Sequence, residues 1–323
     1  MHTVSAVSDL PSVGITRAAL ACGVFDGLHR GHQSIVDTVL AQAKATGAAP
    51  VIITFSPHPM SVVRPDRQPK LLFAEDHRLR LLRSSQAAAT VVIPFTAEMA
   101  AVPPAEFIET HLLGGGVEIT AVCVGEDWRF GHRAQGDTVL LAKLGDRLGF
   151  AVSAVSKLES GGAPISSTRI REAVNAGDLN TAEELLGRRF SIAGFVAQGK
   201  GMGADVMGCP TANIVLDDHI CPPNGIYAAE ALLYPLDEGE HTERLQGAVY
   251  IGHSPTVSDS QPLTLEIHCF DFNRNIYGRK LEVAFISRVR EDRRFDSIAK
   301  LREQIARDLC DVRKIHETAA LLL

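Results

Sequence analysis

The stretch "RAALACGVFDGLHRGHQSIVDTVLAQAKAT", residues 17–46, decides the fold. It opens on an apolar run. Its middle carries Gly23, Gly27 and two histidines, His29 and His32, and its last part repeats apolar residues at helical spacing before Gly47. The run reads as a buried strand and the periodic segment as an amphipathic helix packed on it. Gly23 and Gly27 let the connecting backbone turn sharply and approach a ligand closely. The helix N-terminus beyond offers N–H groups and a positive dipole end, a site suited to phosphate. His29 and His32 add directional donors at the same place. Taken in isolation, the stretch also fits a helix-starting turn with two incidental histidines.

The same alternation continues outward. "APVIITFS" (49–56), "AATVVIPF" (88–95), "ITAVCVG" (119–125) and "FAVSAVS" (150–156) read as further strands. Helical patterns lie between them at 74–85, 103–115 and 136–149, with a Pro-rich loop, "PHPMSVVRPDRQP", at 57–69. Two short helices follow, "STRIREAVNAG" and "LNTAEELLG". Strands alternating with helices build a parallel sheet covered on both faces, and ligands of such sheets collect at the carboxyl ends of the strands.

Near Gly187 the pattern changes. "RRFSIAGFVAQ", "GIYAAEALLY", "RLQGAVYIG", "LTLEIHCFDF" and "RKLEVAFISRV" read as strands without intervening helices, and a long helix, "SIAKLREQIARDLCDVRKIHETAALL", closes the chain. That is an antiparallel sheet or small barrel. The expected organisation is a first domain over 1–184 and a second over 185–323.

Composition narrows the function. The chain has 323 residues, 46% hydrophobic and 22% charged, as in a globular protein of two domains. A net charge of −6 speaks against a nucleic-acid or anionic-membrane surface, so a polyanionic ligand must be held by local groups. The six cysteines are scattered without a CxxC pair and read as reduced apolar residues, with no structural zinc. There is no basic and apolar leader at the start, and no apolar run approaches the roughly 18 residues a membrane span needs. The expectation is a cytoplasmic protein without membrane or nucleic-acid partners.

The HxGH sequence after a first strand resembles the signature of the nucleotidyltransferase superfamily. "GVFDGLHRGH", "TFSPHP", "VGEDWRFGHRAQGD" and "ISSTRIR" stand in the order and approximate spacing of the N-terminal module of bacterial bifunctional riboflavin kinase/FAD synthetases. "GCPTAN", "NGIYA", "IGHSPTV", "LEIH", "NIYGRKLEV" and "RFDSIAKLREQIARD" continue the resemblance to about Asp311. It implies a Rossmann-like α/β nucleotidyltransferase domain, then a small antiparallel flavokinase-like β-barrel with a terminal helix. Riboflavin, FMN and ATP are the implied substrates, FMN and FAD the products, and Mg2+ the cofactor, in a monomer or weak homo-oligomer.

Site residues follow from that resemblance. In the first domain Gly23, Phe25, Asp26, Gly27, His29 and His32 would hold ATP, with His29 and His32 on the triphosphate. Ser166, Ser167, Thr168 and Arg171 stand at the second nucleotide motif. Hydroxyls at a helix start suit that role, as does an arginine fork on phosphate, although an N-cap and a solvated helix face are the plain alternatives. His58, Asp127, Trp128 and Phe130 would face the flavin. In the second domain Gly201, Gly203, Gly208, Pro210, Thr211 and Asn213 would bind ATP, with Thr211 and Asn213 on magnesium, whose hardness suits oxygen ligands. Glu266 matches the catalytic glutamate. It alternates with Leu265 and Ile267 in its strand, so it faces away from them.

The second domain also departs from the family pattern. Ala204 stands where an arginine is common, Ser254 replaces an asparagine, Val257 and Cys209 replace aromatic residues, and Lys200 is a possible substitute charge. These changes keep open an alternative, an FAD synthetase with an impaired kinase domain. A nucleotidyltransferase with another acceptor, and a non-catalytic flavin-binding protein, are the remaining rivals. The intact PTAN and Glu266 count against the former, and two ATP-phosphate sites against the latter.

Overall fold

The computed structural model describes residues 1–197, 211–216, 220–235, 241–253 and 263–320. The chain forms two compact units, Met1–Ser167 and Thr168–Leu323.

The first unit is built on β1 (His2–Val4), β2 (Arg17–Cys22), β3 (Ala49–Ser56), β4 (Ala89–Pro94), β5 (Glu118–Gly125) and β6 (Ala151–Val155). They form one sheet in the order β1-β4-β3-β2-β5-β6, with every pairing parallel. The helices of this unit are α1 (Arg30–Thr46), α2 (Pro59–Val63), α3 (Glu75–Arg83), α4 (Ala97–Ala101), α5 (Pro104–Phe107) and α6 (Thr138–Leu148). A hairpin, β7 (Glu159–Ser160) and β8 (Ala163–Pro164), lies beyond the sheet.

Both faces of the sheet are covered, as the continuous apolar strands require. Ala18, Leu20 and Cys22 join one core cluster with Val51, Ile53, Phe55, Val122 and Val124. Ala19 and Ala21 join the opposite one with Ile52, Ala121, Cys123 and the buried side of α1, Ile35, Val36, Val39 and Ala43. The small residues Ala19, Ala21 and Ala121 make a shallow bed on which α1 rests. Gly47 ends that helix in the left-handed conformation, φ 66°. From β2 the chain moves to β3 and β4 on one side, then returns to β5 on the other. The direction of winding therefore reverses between β2 and β5, and their carboxyl ends flank the crevice that such sheets use for ligands.

The second unit holds most of α7 (Ser167–Ala176) and all of α8 (Leu179–Leu186), followed by the barrel and α9 (Ile298–Ala320). By packing, then, α8 and all of α7 but Ser167 fall outside the first unit, although the sequence reading assigns most of their length to the first domain. The barrel strands are β9 (Ser191–Ala197), β10 (Ala212–Val215), β11 (Gly225–Leu233), β12 (Glu243–His253), β13 (Leu263–Cys269) and β14 (Lys280–Glu291). They close in the order β10-β13-β12-β11-β14-β9, all antiparallel. Leu265, Ile267, Ile251, Val249, Val283 and Phe285 are among the buried barrel residues. Outside, Val312, Leu309 and Ile315 of α9 cover Ala228, Ala248 and Phe270. Arg290 of β14 grips the buried Asp308 of that helix with two nitrogens, at 2.7–3.0 Å.

Candidate active sites

The loop leaving β2 turns through three residues with positive φ, Phe25 (53°), Gly27 (84°) and Leu28 (38°). Gly27 has little alternative, since its left-handed φ of 84° strains any side chain, and a Cβ there would also push on Leu72 Cδ1. Gly23 has ordinary dihedrals, and its bare Cα instead accommodates the ring of Phe25, 3.2 Å from where a Cβ would stand. Phe25 is fully buried and meets His32 edge-on, with centroids 5.4 Å apart. His29 caps α1: its Nδ1 accepts the backbone N–H of His32 at 3.2 Å. An accepting Nδ1 puts the ring proton on Nε2. The His29 and His32 rings stack at 3.7 Å. The structure thus brings both histidines together at the positive end of α1.

Asp26 is 4% exposed. One of its carboxylate oxygens accepts the Leu72 N–H at 3.2 Å, and its carbonyl accepts the Ser167 hydroxyl at 2.9 Å. Ser167, from the second nucleotide motif, is thereby tied to the first loop. Thr168 and Arg171 lie further along α7, in the second unit. His58 follows β3 and caps α2 as His29 caps α1, its Nδ1 accepting the Met60 N–H at 3.1 Å. Asp26 and His58 line one cleft of about 90 Å3 with Pro57, Phe73, Glu75 and Arg78.

Asp127 stands just past β5 and pairs with Lys157, just past β6, at 2.8 Å. Trp128 stacks on Phe130 at 4.6 Å. Phe130 is buried in the core against Phe107, with Trp128 half-buried beside it.

In the second unit Asn213 of β10, Glu266 of β13 and Tyr250 of β12 are direct cross-strand partners. They share the outer face of the barrel, while Leu265 and Ile267 on either side of Glu266 are buried within it. The Thr211 hydroxyl is 3.4 Å from a Glu266 carboxylate oxygen. Burial pushes the Glu266 carboxyl above the usual glutamate range, and the Thr211 contact opposes that rise. Tyr250 donates to Asp292 at 3.2 Å, and its phenol is pushed up to about 12, chiefly by burial. Gly201, Gly203, Gly208, Pro210, Lys200, Ala204, Cys209, Ser254 and Val257 lie outside the described residues.

Sequence reasoning missed Arg78, Glu75, Lys157, Tyr250 and Asp292. Only Lys157 carried a usable signal. Adjacent parallel strands end side by side, so the residue that follows β6 was a foreseeable neighbour of Asp127.

Residues 14–169 match the family model for FAD synthetase, and residues 186–316 match that for riboflavin kinase. Bifunctional riboflavin kinase/FMN adenylyltransferase of Escherichia coli strain K12 is 32% identical over 308 residues, 95% of this chain and 96% of that protein. This chain belongs to the bifunctional riboflavin kinase/FMN adenylyltransferase family. The Bacillus subtilis strain 168 member of that family is 31% identical, with 90% of each chain covered. A crystal structure described as a macrolide-efflux protein from Streptococcus pneumoniae superposes with a TM-score of 0.80 at 25% identity, covering 97% of this chain and 99% of that one. Among the described residues of this family member, no helix is long and apolar enough to cross a membrane.

Proposed function

We propose that the chain phosphorylates riboflavin to FMN in its second domain and adenylylates FMN to FAD in its first. The observation that carries this reading is the tandem match to both domain families across nearly the whole chain. It favours the bifunctional reading over an FAD synthetase alone. In functional terms the domains run over 1–184 and 185–323, so that Thr168 and Arg171 serve the first.

In the kinase reaction the ribityl primary hydroxyl attacks the γ-phosphorus of ATP, and ADP leaves. Glu266 takes the hydroxyl proton, a role suited to a carboxyl whose burial raises its basicity. The donor set beside it, the Thr211 hydroxyl and the Asn213 amide oxygen next to a carboxylate, fits a hard divalent cation such as Mg2+. Thr211 and Asn213 would hold it, and when bound it would neutralise phosphate charge. Gly201, Gly203, Gly208 and Pro210 would contribute to ATP binding.

In the second reaction an FMN phosphate oxygen attacks the α-phosphorus of ATP. The bond to the β-phosphate oxygen breaks, and pyrophosphate carries off the electron pair. Such a step asks the protein for alignment and charge neutralisation. The positive end of α1 supplies charge for the triphosphate and His29 and His32 supply directional N–H donors, with Ser166, Ser167, Thr168 and Arg171 as further phosphate ligands. Gly23, Phe25, Asp26 and Gly27 shape the approach. His58 and Asp127 orient FMN, and the ring of Trp128, backed by Phe130, offers an apolar wall for the isoalloxazine. The chain acts in the cytoplasm as a monomer or weak homo-oligomer.

The test is to incubate the chain with ATP and magnesium plus either riboflavin or FMN, and to resolve the flavins by chromatography. Riboflavin passing through FMN to FAD is the expected outcome. FAD from FMN with riboflavin untouched would leave only the adenylyl transfer of the first domain.

A further inference from the structure

Arg78 is the most deeply placed cation of the first unit's cleft, 6% exposed on α3. Its guanidinium forks between two carbonyls of different strand ends. Nη1 donates to the Val24 oxygen at 2.7 Å, and Nη2 donates to the Phe55 oxygen at 2.8 Å. Val24 opens the loop that carries Asp26 and His29, and Phe55 lies near the end of β3, just before Pro57 and His58. The Val24 oxygen also accepts the Thr54 hydroxyl at 3.1 Å, so two donors fix it. Arg78, Asp26 and His58 line the same cleft.

We propose that Arg78 is a positioning residue of the adenylyl-transfer site, one that locks the β2 loop bearing His29 to the end of β3 bearing His58. The proposal rests on the site assignment made above for those histidines. Two further observations separate this role from simple packing. First, a buried cation is a costly way to anchor a helix unless the groups it meets need its donors. Second, both acceptors are neutral carbonyls, and among the described residues no carboxylate sits within the fork. Glu75 and Asp26 act on Arg78 through space, opposing the drop in its pKa that burial brings. A planar fork can bridge two fixed carbonyls, and a lysine ammonium on its flexible stem cannot hold both in one geometry.

The test uses the full chain with Arg78→Lys, Arg78→Met and His29→Ala. FAD formation from FMN is measured against ATP concentration, riboflavin phosphorylation serves as an internal control, and melting is followed by circular dichroism. If Arg78 positions the loop, Arg78→Lys lowers kcat for FAD formation by about 10- to 100-fold, the scale of a small misplacement near the reacting groups. It also raises the KM for ATP and leaves riboflavin phosphorylation unchanged. Arg78→Met gives at least the same loss while the chain stays folded at the assay temperature, even if it melts lower than the parent chain. A loss that follows the unfolded fraction, with KM unchanged, would make Arg78 a packing residue and overturn the proposal. So would parental kinetics in both Arg78 variants while His29→Ala is inactive. Full FAD formation by His29→Ala would overturn the site assignment itself, and the proposal with it.

Discussion

Glu266 illustrates how one strand position can be both supported and exposed to chemistry. Its neighbours Leu265 and Ile267 anchor it in the barrel, and its carboxyl is half-buried on the outer face beside Thr211. Burial raises its pKa, and a base acts only when deprotonated. Riboflavin phosphorylation should therefore fall as pH drops through that raised pKa, with an acid limb above the value of about 4.3 for a free glutamate. A pH profile of kcat/KM for FMN formation checks this, and Glu266→Gln should remove the limb and lower kcat by about 10²- to 10⁴-fold. On the other domain, Gly27→Ala forces a side chain into a left-handed backbone, at a cost of about 1–2 kcal/mol, and pushes on Leu72. The expected result is slower FAD formation with riboflavin phosphorylation intact, read from initial rates of both reactions.

Among the elements, α1 depends most on what lies beneath it. Ala19, Ala21 and Ala121 keep it close to the sheet, and its first turn carries the stacked histidines. Ala21→Leu would lift the helix and cost about 1–3 kcal/mol of overpacking. Lower thermal stability of the first unit, accompanied by weaker FAD formation, is the outcome expected from calorimetry and flavin chromatography. The long periodic segments and apolar strands around α1 were legible in the sequence, because burial on two faces imposes the pattern directly. β1 and β10 were not, since three and four residues are too short to show a period and are defined by the strands they pair with. The helix expected at 103–115 is α-helical only over Pro104–Phe107 and continues as a wider π turn over Ile108–Leu112. At the sites, HxGH, PTAN and Glu266 could be read from local sequence. Tyr250 and Asp292 could not, because cross-strand register brings Tyr250 to Glu266 and a tertiary contact brings Asp292 to Tyr250. Nor does the sequence distinguish Arg78 from Arg80 and Arg83, its neighbours on the same short helix.

For the molecule as a whole, the two reactions should be separable by mutation. Glu266→Ala is expected to abolish FMN formation and preserve FMN-to-FAD conversion, and replacing both His29 and His32 with Ala should do the reverse. Equal loss of both activities in either variant would contradict separate sites. Whole-molecule behaviour also turns on a small feature at the sheet's margin. Among the described residues, His2–Val4 is all that pairs with the outer side of β4, whose Ala89, Thr90, Val91 and Ile93 are buried. Removing residues 1–5 would leave those N–H and C=O groups as an open, apolar template for a second molecule. The shortened chain should retain its chemistry when dilute and clump when concentrated, a difference that light scattering across a concentration series would reveal. Three residues at the sheet's margin thus govern how crowded a solution this enzyme tolerates.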